Sequence, residues 1–355
     1  MQPVVLFNPE RFLEHSNQRI RKDLKQSWGV LIQAFIKDQE VSDSSKDVYT
    51  RNIRKFVLWL AHEKKLDKPD QLCREDLLEY KTFLKLSQLS ASSINSYLIL
   101  MRKLFEWLES KKLFPNIGKG IKGLKTPNNR MRSCFSIDQL KEILSCIDTD
   151  TIQGVRNYAM LNLMCRTGLR CVEISRSTIS DLRQESGEAV LWVQGKGRDS
   201  KDDFVLLVHE ALKPLRHYLS LRKPQSLDEP LFAPLQPKFT KNKRQKVTYT
   251  TVTNRHLTTR MISMIAKKAF RNVGIDSRML TAHSLRHTAI TLAITHGASI
   301  EQTAAMARHS DIATTMRYYH NMQRVSEFAA ERYIKLNKYE DHVSLNAKKQ
   351  NGKSS

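Results

Sequence analysis

A chain of 355 residues is long enough for two ordinary domains, each with its own core. Hydrophobic residues make up 40%, which excludes a disordered polymer, and no window offers the run of about 20 apolar residues that a membrane span needs. Lys and Arg number 59 against 36 Asp and Glu, a formal charge of +23, which points to a polyanionic partner. DNA or RNA leads over an anionic membrane surface, because no basic amphipathic helix carries a bulky apolar face.

Residues 1–24 form an N-terminal extension without clear periodicity. Their short apolar run lacks the basic start and longer apolar core of a secretory signal. The cysteines at 73, 134, 146, 165 and 171 are odd in number and match no zinc spacing, so reduced thiols of a cytoplasm are expected. Residues 25–115 are predicted to be a helical module. A helix is expected around Trp28 to Ile36. Tyr49, Ile53, Phe56 and Leu60 then step by four, three and four along one helical face, with Ser44 and Ser45 upstream as caps. Leu77, Tyr80 and Leu84 repeat the pattern, as do Tyr97, Met101, Leu104 and Leu108 after a SASS cap region. The opposite faces carry Lys46, Arg51, Arg54, Lys55, Lys81, Lys85, Arg102 and Lys103. A solvated surface would look the same. In this basic chain Arg51, Arg54, Lys55, Arg102 and Lys103 are DNA-contact candidates.

The stretch FPNIGKGIKGLKTPNNRMRS, residues 114–133, is rich in Gly, Pro, Asn and basic residues and has no acid. Residues 116–133 read as an extended basic linker able to track a phosphate backbone, with Lys119, Lys122 and Lys125 as contacts. A second domain is expected over 134–338. It opens with a helix capped by Ser136, and a second helix spans Gln153 to Cys165. Three short strands follow, with turns at 185–188 and 195–201. A helix over 210–221 comes next. Residues 236–250 read as a loop, with Lys243 and Arg244 as further DNA contacts, leading into a helix over 252–270. Several short helices fill 283–335, and a loose polar tail covers 339–355.

No P-loop, HExxH, GxSxG or paired CxxC is present. What stands out is a scattered set of phosphate-seeking groups. Arg170 lies in RTGLRCVEI, with Glu173 three residues on, and Lys196 sits in the Gly-flanked turn QGKGRDSK. His283 and Arg286 share a helical face in HSLRHTAI, His309 follows in ARHSD, and Tyr318 comes nine residues later in TTMRYYHN. A phosphodiester is anionic and resists attack, and two planar guanidiniums suit its non-bridging oxygens. A phenol with a reference pKa of about 10 needs activation before it attacks. A histidine base and the arginines can supply that. The leaving oxygen needs a proton, which a lysine on a hairpin can deliver.

In this order the motifs TGLRCVEI, GKG between strands, HSLRH, RHSD and TTMRYYH resemble those of the tyrosine recombinases of the phage-integrase and Xer type. The resemblance covers nearly the whole chain. It implies a mainly α fold with a small three-stranded antiparallel sheet, built as a SAM-like core-binding domain and a catalytic domain that clamp DNA. Carried over by position, Tyr318 is the nucleophile. Arg170, Lys196, His283, Arg286 and His309 complete the catalytic set, and Glu173 supports Arg170. Lys201 is a rival for the lysine role. His287 reads as a packing or hydrogen-bonding residue, and Tyr319 as helix packing beside His320. The implied activity is metal-free and ATP-free strand exchange between specific sites through a 3′-phosphotyrosyl intermediate and a Holliday junction. It would serve integration, excision or transposition, in a bacterial cytoplasm. A homotetramer on synapsed sites is implied, with accessory DNA-bending proteins as further partners. A terminal helix over 324–338 would offer Val325, Phe328 and Tyr333 to the neighbouring protomer. The chain departs from the family at Arg308, where glycine is common; that side chain is expected to touch DNA or solvent. Alternatives are a type IB topoisomerase-like enzyme, a hairpin-forming protelomerase and a non-catalytic DNA-binding regulator.

Overall fold

The computed structural model describes residues 28–63, 72–126, 134–195, 197–238 and 248–327. The chain divides into two compact units, the first reaching to residue 128 and the second starting at 129. The first holds helices α1 (Trp28–Lys37), α2 (Asp43–His62), α3 (Arg74–Leu86) and α4 (Ala91–Ser110). Their predicted stripes form its core. Phe56 sits at the centre, with ring centroids of Trp28, Trp59, Tyr80 and Phe105 at 6.3, 6.0, 5.0 and 6.2 Å. Ile53, Leu60, Leu77, Leu84, Met101, Leu104 and Leu108 are buried around it. Ser90 caps α4 as the SASS sequence suggests, accepting from Ser93 N at 3.2 Å. At α2 the expectation misses: Ser42 is the N-cap residue, and Ser44 and Ser45 lie inside the first turn. Tyr49 and Tyr97 end at the margin of their stripes, under Lys103 and Lys55, whose ammonium groups lie 5.6 and 5.2 Å from the ring centres. Those two DNA-contact candidates are therefore held against aromatic rings, while Arg51 and Arg54 are exposed.

The described part of the expected linker, up to residue 126, is not a free extended strand. It folds back on the first unit. Ile121 is buried, and Ile117 and Leu124 pack on the same core. The Asn95 amide donates to Leu124 O at 2.9 Å and accepts from Leu124 N at 2.7 Å, and Lys81 Nζ donates to Lys122 O at 2.7 Å. Arg74 donates to Lys119 O. The glycines read as linker punctuation serve close approach: a Cβ on Gly118 would meet Arg102 Cα at 3.1 Å, and one on Gly123 would meet Asn95 Oδ1 at 2.7 Å. The side chains of Lys119, Lys122 and Lys125 stay exposed.

The second unit opens with α5 (Ile137–Ser145), where Ser136 and Gln139 form a reciprocal capping box as the SIDQ pattern suggests. Helix α6 (Ile152–Thr167) is buried on nearly every side and forms the axis of the unit. Short α7 (Cys171–Arg176) leads into the antiparallel sheet β1 (Leu182–Glu185), β2 (Glu188–Val193) and β3 (Asp203–Leu206), in that spatial order. Leu191 of central β2 pairs with Leu182 on one side and Val205 on the other. Helix α8 (His209–Arg222) packs along α6. An antiparallel ribbon follows, β4 (Leu235–Lys238) with β5 (Thr248–Thr251), where the sequence suggested only loop. Four-residue strands, one containing Pro237, leave too little alternation to read. Residues 239–247, with Lys243 and Arg244, lie outside the described residues. Helix α9 (Thr259–Asn272) starts later than expected, at the Thr258 cap. Then come α10 (Ala282–Thr295), α11 (Ile300–Ala307) and α12 (Ala313–Glu327). The rest of the expected trans-acting helix, residues 328–338, lies outside the described residues, as do the N-terminal extension and the tail. None of the five cysteines forms a disulfide among the described residues.

Asn95 makes two bonds to the folded-back segment, so Asn95→Ala should destabilise the first unit by about 1–3 kcal/mol. Urea unfolding would read the loss, and trypsin should cut faster after Lys119, Lys122 and Lys125.

Candidate active site

Gly168 ends α6 in the left-handed conformation, at φ +63° and ψ +23°. The chain then turns into α7 and sets Arg170 at its N-cap. Glu173, wholly buried, closes a tight loop with that residue: Arg170 N donates to Glu173 Oε2 at 2.7 Å, and Arg170 Nη1 donates to Oε1 at 2.6 Å. Arg308, just past α11, adds a third donor, Nη2 to Oε2 at 2.8 Å. Burial alone would raise the Glu173 carboxyl, but Arg308 and Arg170 outweigh it and hold it below the usual range. The carboxylate stays ionised.

Arg286 reaches the site from the first half of α10 and is 2% exposed. Its Nη1 donates to Gly168 O at 2.6 Å and its Nη2 donates to Ala307 O. Burial, then the charges of Arg170 and Arg308, lower it to about 9, so it remains a cation at neutral pH. His283 lies one turn earlier on α10, exposed, with its ring 4.4 Å from that of His287. The His287 Nδ1 and the Tyr318 hydroxyl are hydrogen-bonded. On α12 the Tyr318 ring lies 5.5 Å from His287 and 6.3 Å from His309, nearly parallel to the latter. His309 Nδ1 is 2.8 Å from the hydroxyl of fully buried Thr315. Tyr319 turns away and meets the His320 ring edge-on.

One cleft is thus lined by Arg170, His283, Arg286, His309 and Tyr318, with His287 in its wall. A neighbouring cleft is lined by Arg170, Glu173, Gly195, Arg198 and Arg308. It brings the β2–β3 turn to the same arginine. Five of the six proposed catalytic residues therefore converge; Lys196, between Gly195 and Gly197, lies outside the described residues. Two guanidiniums, imidazoles and a phenol at one cleft can neutralise a phosphodiester and attack it.

Residues 134–324 match the family model described as the phage integrase family, and residues 31–112 match the phage integrase N-terminal SAM-like domain. The chain belongs to the phage integrase family. Among its curated relatives are a tyrosine recombinase XerD of Listeria monocytogenes serotype 4b, 26% identical over 81% of this chain and 91% of the relative, and a TnP I resolvase of Bacillus thuringiensis, 29% identical over 80% and 92%. In fold it is similar to a XerH site-specific recombinase bound to palindromic difH substrate, with a TM-score of 0.65 and 18% identity over 92% of this chain and 90% of that one. It is also similar to a lambda integrase dimer bound to a COC′ core site, with a TM-score of 0.60 and 12% identity over 82% and 94%. The protein is a tyrosine recombinase, a DNA strand-transferring enzyme. The paired SAM-like and catalytic domains favour this over the topoisomerase-like and non-catalytic alternatives.

Two features of this recombinase's site differ from the reading of its sequence. Lys201 is not a spare for Lys196: its ammonium donates to both oxygens of buried Asp181, at 2.8 and 2.6 Å, and to Thr178 Oγ1 at 3.1 Å. Arg308 turns inward: its side chain is 4% exposed and donates to Glu173 and Met306 O at the edge of the neighbouring cleft. His287 takes the hydrogen-bonding role of its two expected ones, with the Tyr318 hydroxyl as partner. Its spacing of four from His283 already put both on one face of α10. No sequence signal marked the pairing of Arg308 with Glu173 across 135 positions.

Burial, then Arg286, Arg170, Arg308 and Arg317, lower the His309 imidazole to about 4. It should stay neutral in the free protein well below the ordinary value of about 6.5. Between these values the unfolded chain binds more protons than the folded one, so stability should fall as pH drops from 6.5 to 4. An NMR titration of the imidazole and unfolding midpoints across pH 4–7 would check both.

Proposed function

We propose that Tyr318 cuts one strand of a specific duplex site, forming a 3′-phosphotyrosyl bond and releasing a 5′-hydroxyl. The observation that carries this is the Tyr318 hydroxyl on one cleft with Arg170 and Arg286, bonded to His287. In the tautomer with a bare Nδ1, His287 accepts the phenolic proton as the oxygen attacks phosphorus. Arg170 and Arg286 face the non-bridging oxygens, where charge builds. Neutral His309 donates a hydrogen bond to the same phosphate, and His283 donates another. Lys196, on the β2–β3 turn, protonates the departing 5′ oxygen. The phosphotyrosyl bond keeps the energy of the diester, so religation to a partner strand needs no ATP, and the arginines supply the charge that a metal would otherwise bring. Two rounds of exchange pass through a Holliday junction in a homotetramer on paired sites. The partner is double-stranded DNA, a reading supported by the similar XerH recombinase bound to a palindromic difH substrate and the lambda integrase dimer bound to a COC′ core site, and the setting is a bacterial cytoplasm. Integration, excision or transposition is the outcome.

A nicked substrate that traps the cleaved state is the direct test. Wild type and Tyr319→Phe should form a covalent adduct and Tyr318→Phe should form none; an adduct in Tyr318→Phe would remove the assignment. Arg170→Ala and Arg286→Ala should each slow cleavage by about 10²–10³-fold. A supercoiled plasmid without the cognate site should remain supercoiled, whereas a topoisomerase would relax it.

A further inference from the structure

Arg308 stands where the backbone favours glycine. It caps α11 at φ +52° and ψ +52°, a conformation that L side chains rarely adopt. The side chain there is long, charged and only 4% exposed. It folds back into the unit, with Nη1 donating to Met306 O at 2.7 Å and Nη2 to Glu173 Oε2 at 2.8 Å. Arg170 takes the other oxygen of that carboxylate through Nη1 and keeps 26% of its side chain exposed, at the cleft that holds Tyr318.

Formal charge explains what this arrangement achieves. With Glu173 paired to Arg170 alone, the two cancel and Arg286 is the remaining cation of the group. With Arg308 included, three guanidiniums and one carboxylate leave two positive charges. A phosphodiester carries one negative charge. Attack by a phenolate adds a second at phosphorus. The cluster therefore matches the pentacoordinate state better than the bound diester, which is the condition for speeding the step and not merely tightening binding. We propose that Arg308 is a positioning residue for strand cleavage, sharing Glu173 with Arg170 so that Arg170 stays aimed toward the phosphate with its charge less offset by the carboxylate. The inference rests on the assignment of Arg170 and Tyr318 above.

Single-turnover cleavage of the nicked substrate at saturating protein tests it, beside DNA affinity and thermal melting. Arg308→Met and Arg308→Lys share the backbone strain at φ +52°, so their difference reports charge. Arg308→Met should cleave at least tenfold more slowly, with Kd for DNA within twofold of wild type, and Arg308→Lys should recover most of the rate. Arg308→Gly relieves the backbone and should still be slow; it carries the test if Arg308→Met does not fold. In a Glu173→Gln background, adding Arg308→Met should change the rate less than threefold. Cleavage by Arg308→Gly or Arg308→Met at the wild-type rate would overturn the proposal. So would an equal tenfold loss with and without Glu173. A covalent adduct in Tyr318→Phe would instead overturn the site reading on which it stands.

Discussion

The site depends on one buried guanidinium. Arg286 donates to Gly168 O at the end of α6 and to Ala307 O at the end of α11. Helix ends leave carbonyls without partners, and they sit at the negative end of the helix dipole. A single planar fork therefore satisfies two helix ends and ties three segments together. The segments are far apart in the chain, 118 and 21 residues from Arg286. A lysine has the charge but not the fork, so it could not hold both carbonyls in one geometry. Burial weakens the cation only to about 9, and the two carbonyls help compensate for its lost water.

The second constraint follows from the first. Concentrating Arg170, Arg286 and Arg308 around one point is costly unless something anionic sits among them. Glu173 supplies that anion without lining the cleft that holds Tyr318. It accepts from a backbone N–H and from two arginines, so its own burial is offset by three donors. Burial, together with the same positive field, keeps His309 neutral. The three histidines are thus set apart by environment: His309 is neutral among arginines, His287 is buried and bonded to the Tyr318 hydroxyl, and His283 is exposed at the rim.

The helical stripes of the first unit and the three-stranded sheet were legible because their period is carried by residues that end up buried. Ile53, Phe56 and Leu60 show this on α2, and Leu191 and Val205 on the sheet. The stretch over 116–126 was misread because glycine signals both a free linker and a close approach, and composition does not separate them. Only the contact of Gly118 with Arg102 and of Gly123 with Asn95 tells which applies. The β4–β5 ribbon was missed because its pairing lies between two very short strands, one interrupted by proline. At the site, order along the chain picked out Arg170, His283, Arg286, His309 and Tyr318. It could not show what each bonds to, since partners such as Glu173 and Arg308 meet only through the fold.

The two adjacent tyrosines on α12 show how little of the choice between them is local. Tyr318 and Tyr319 share composition and neighbourhood, and a helix rotates them about 100° apart. The selection is made by α10, which presents His287 to one hydroxyl, and by the turn after α11, which lays His309 against the same ring. That turn is also where Arg308 reaches Glu173 and where Ala307 meets Arg286. The short segment from Ala307 to His309 therefore connects the arginine cluster to Tyr318. A displacement there would move both at once, so the cations and the phenol are assembled as a single unit.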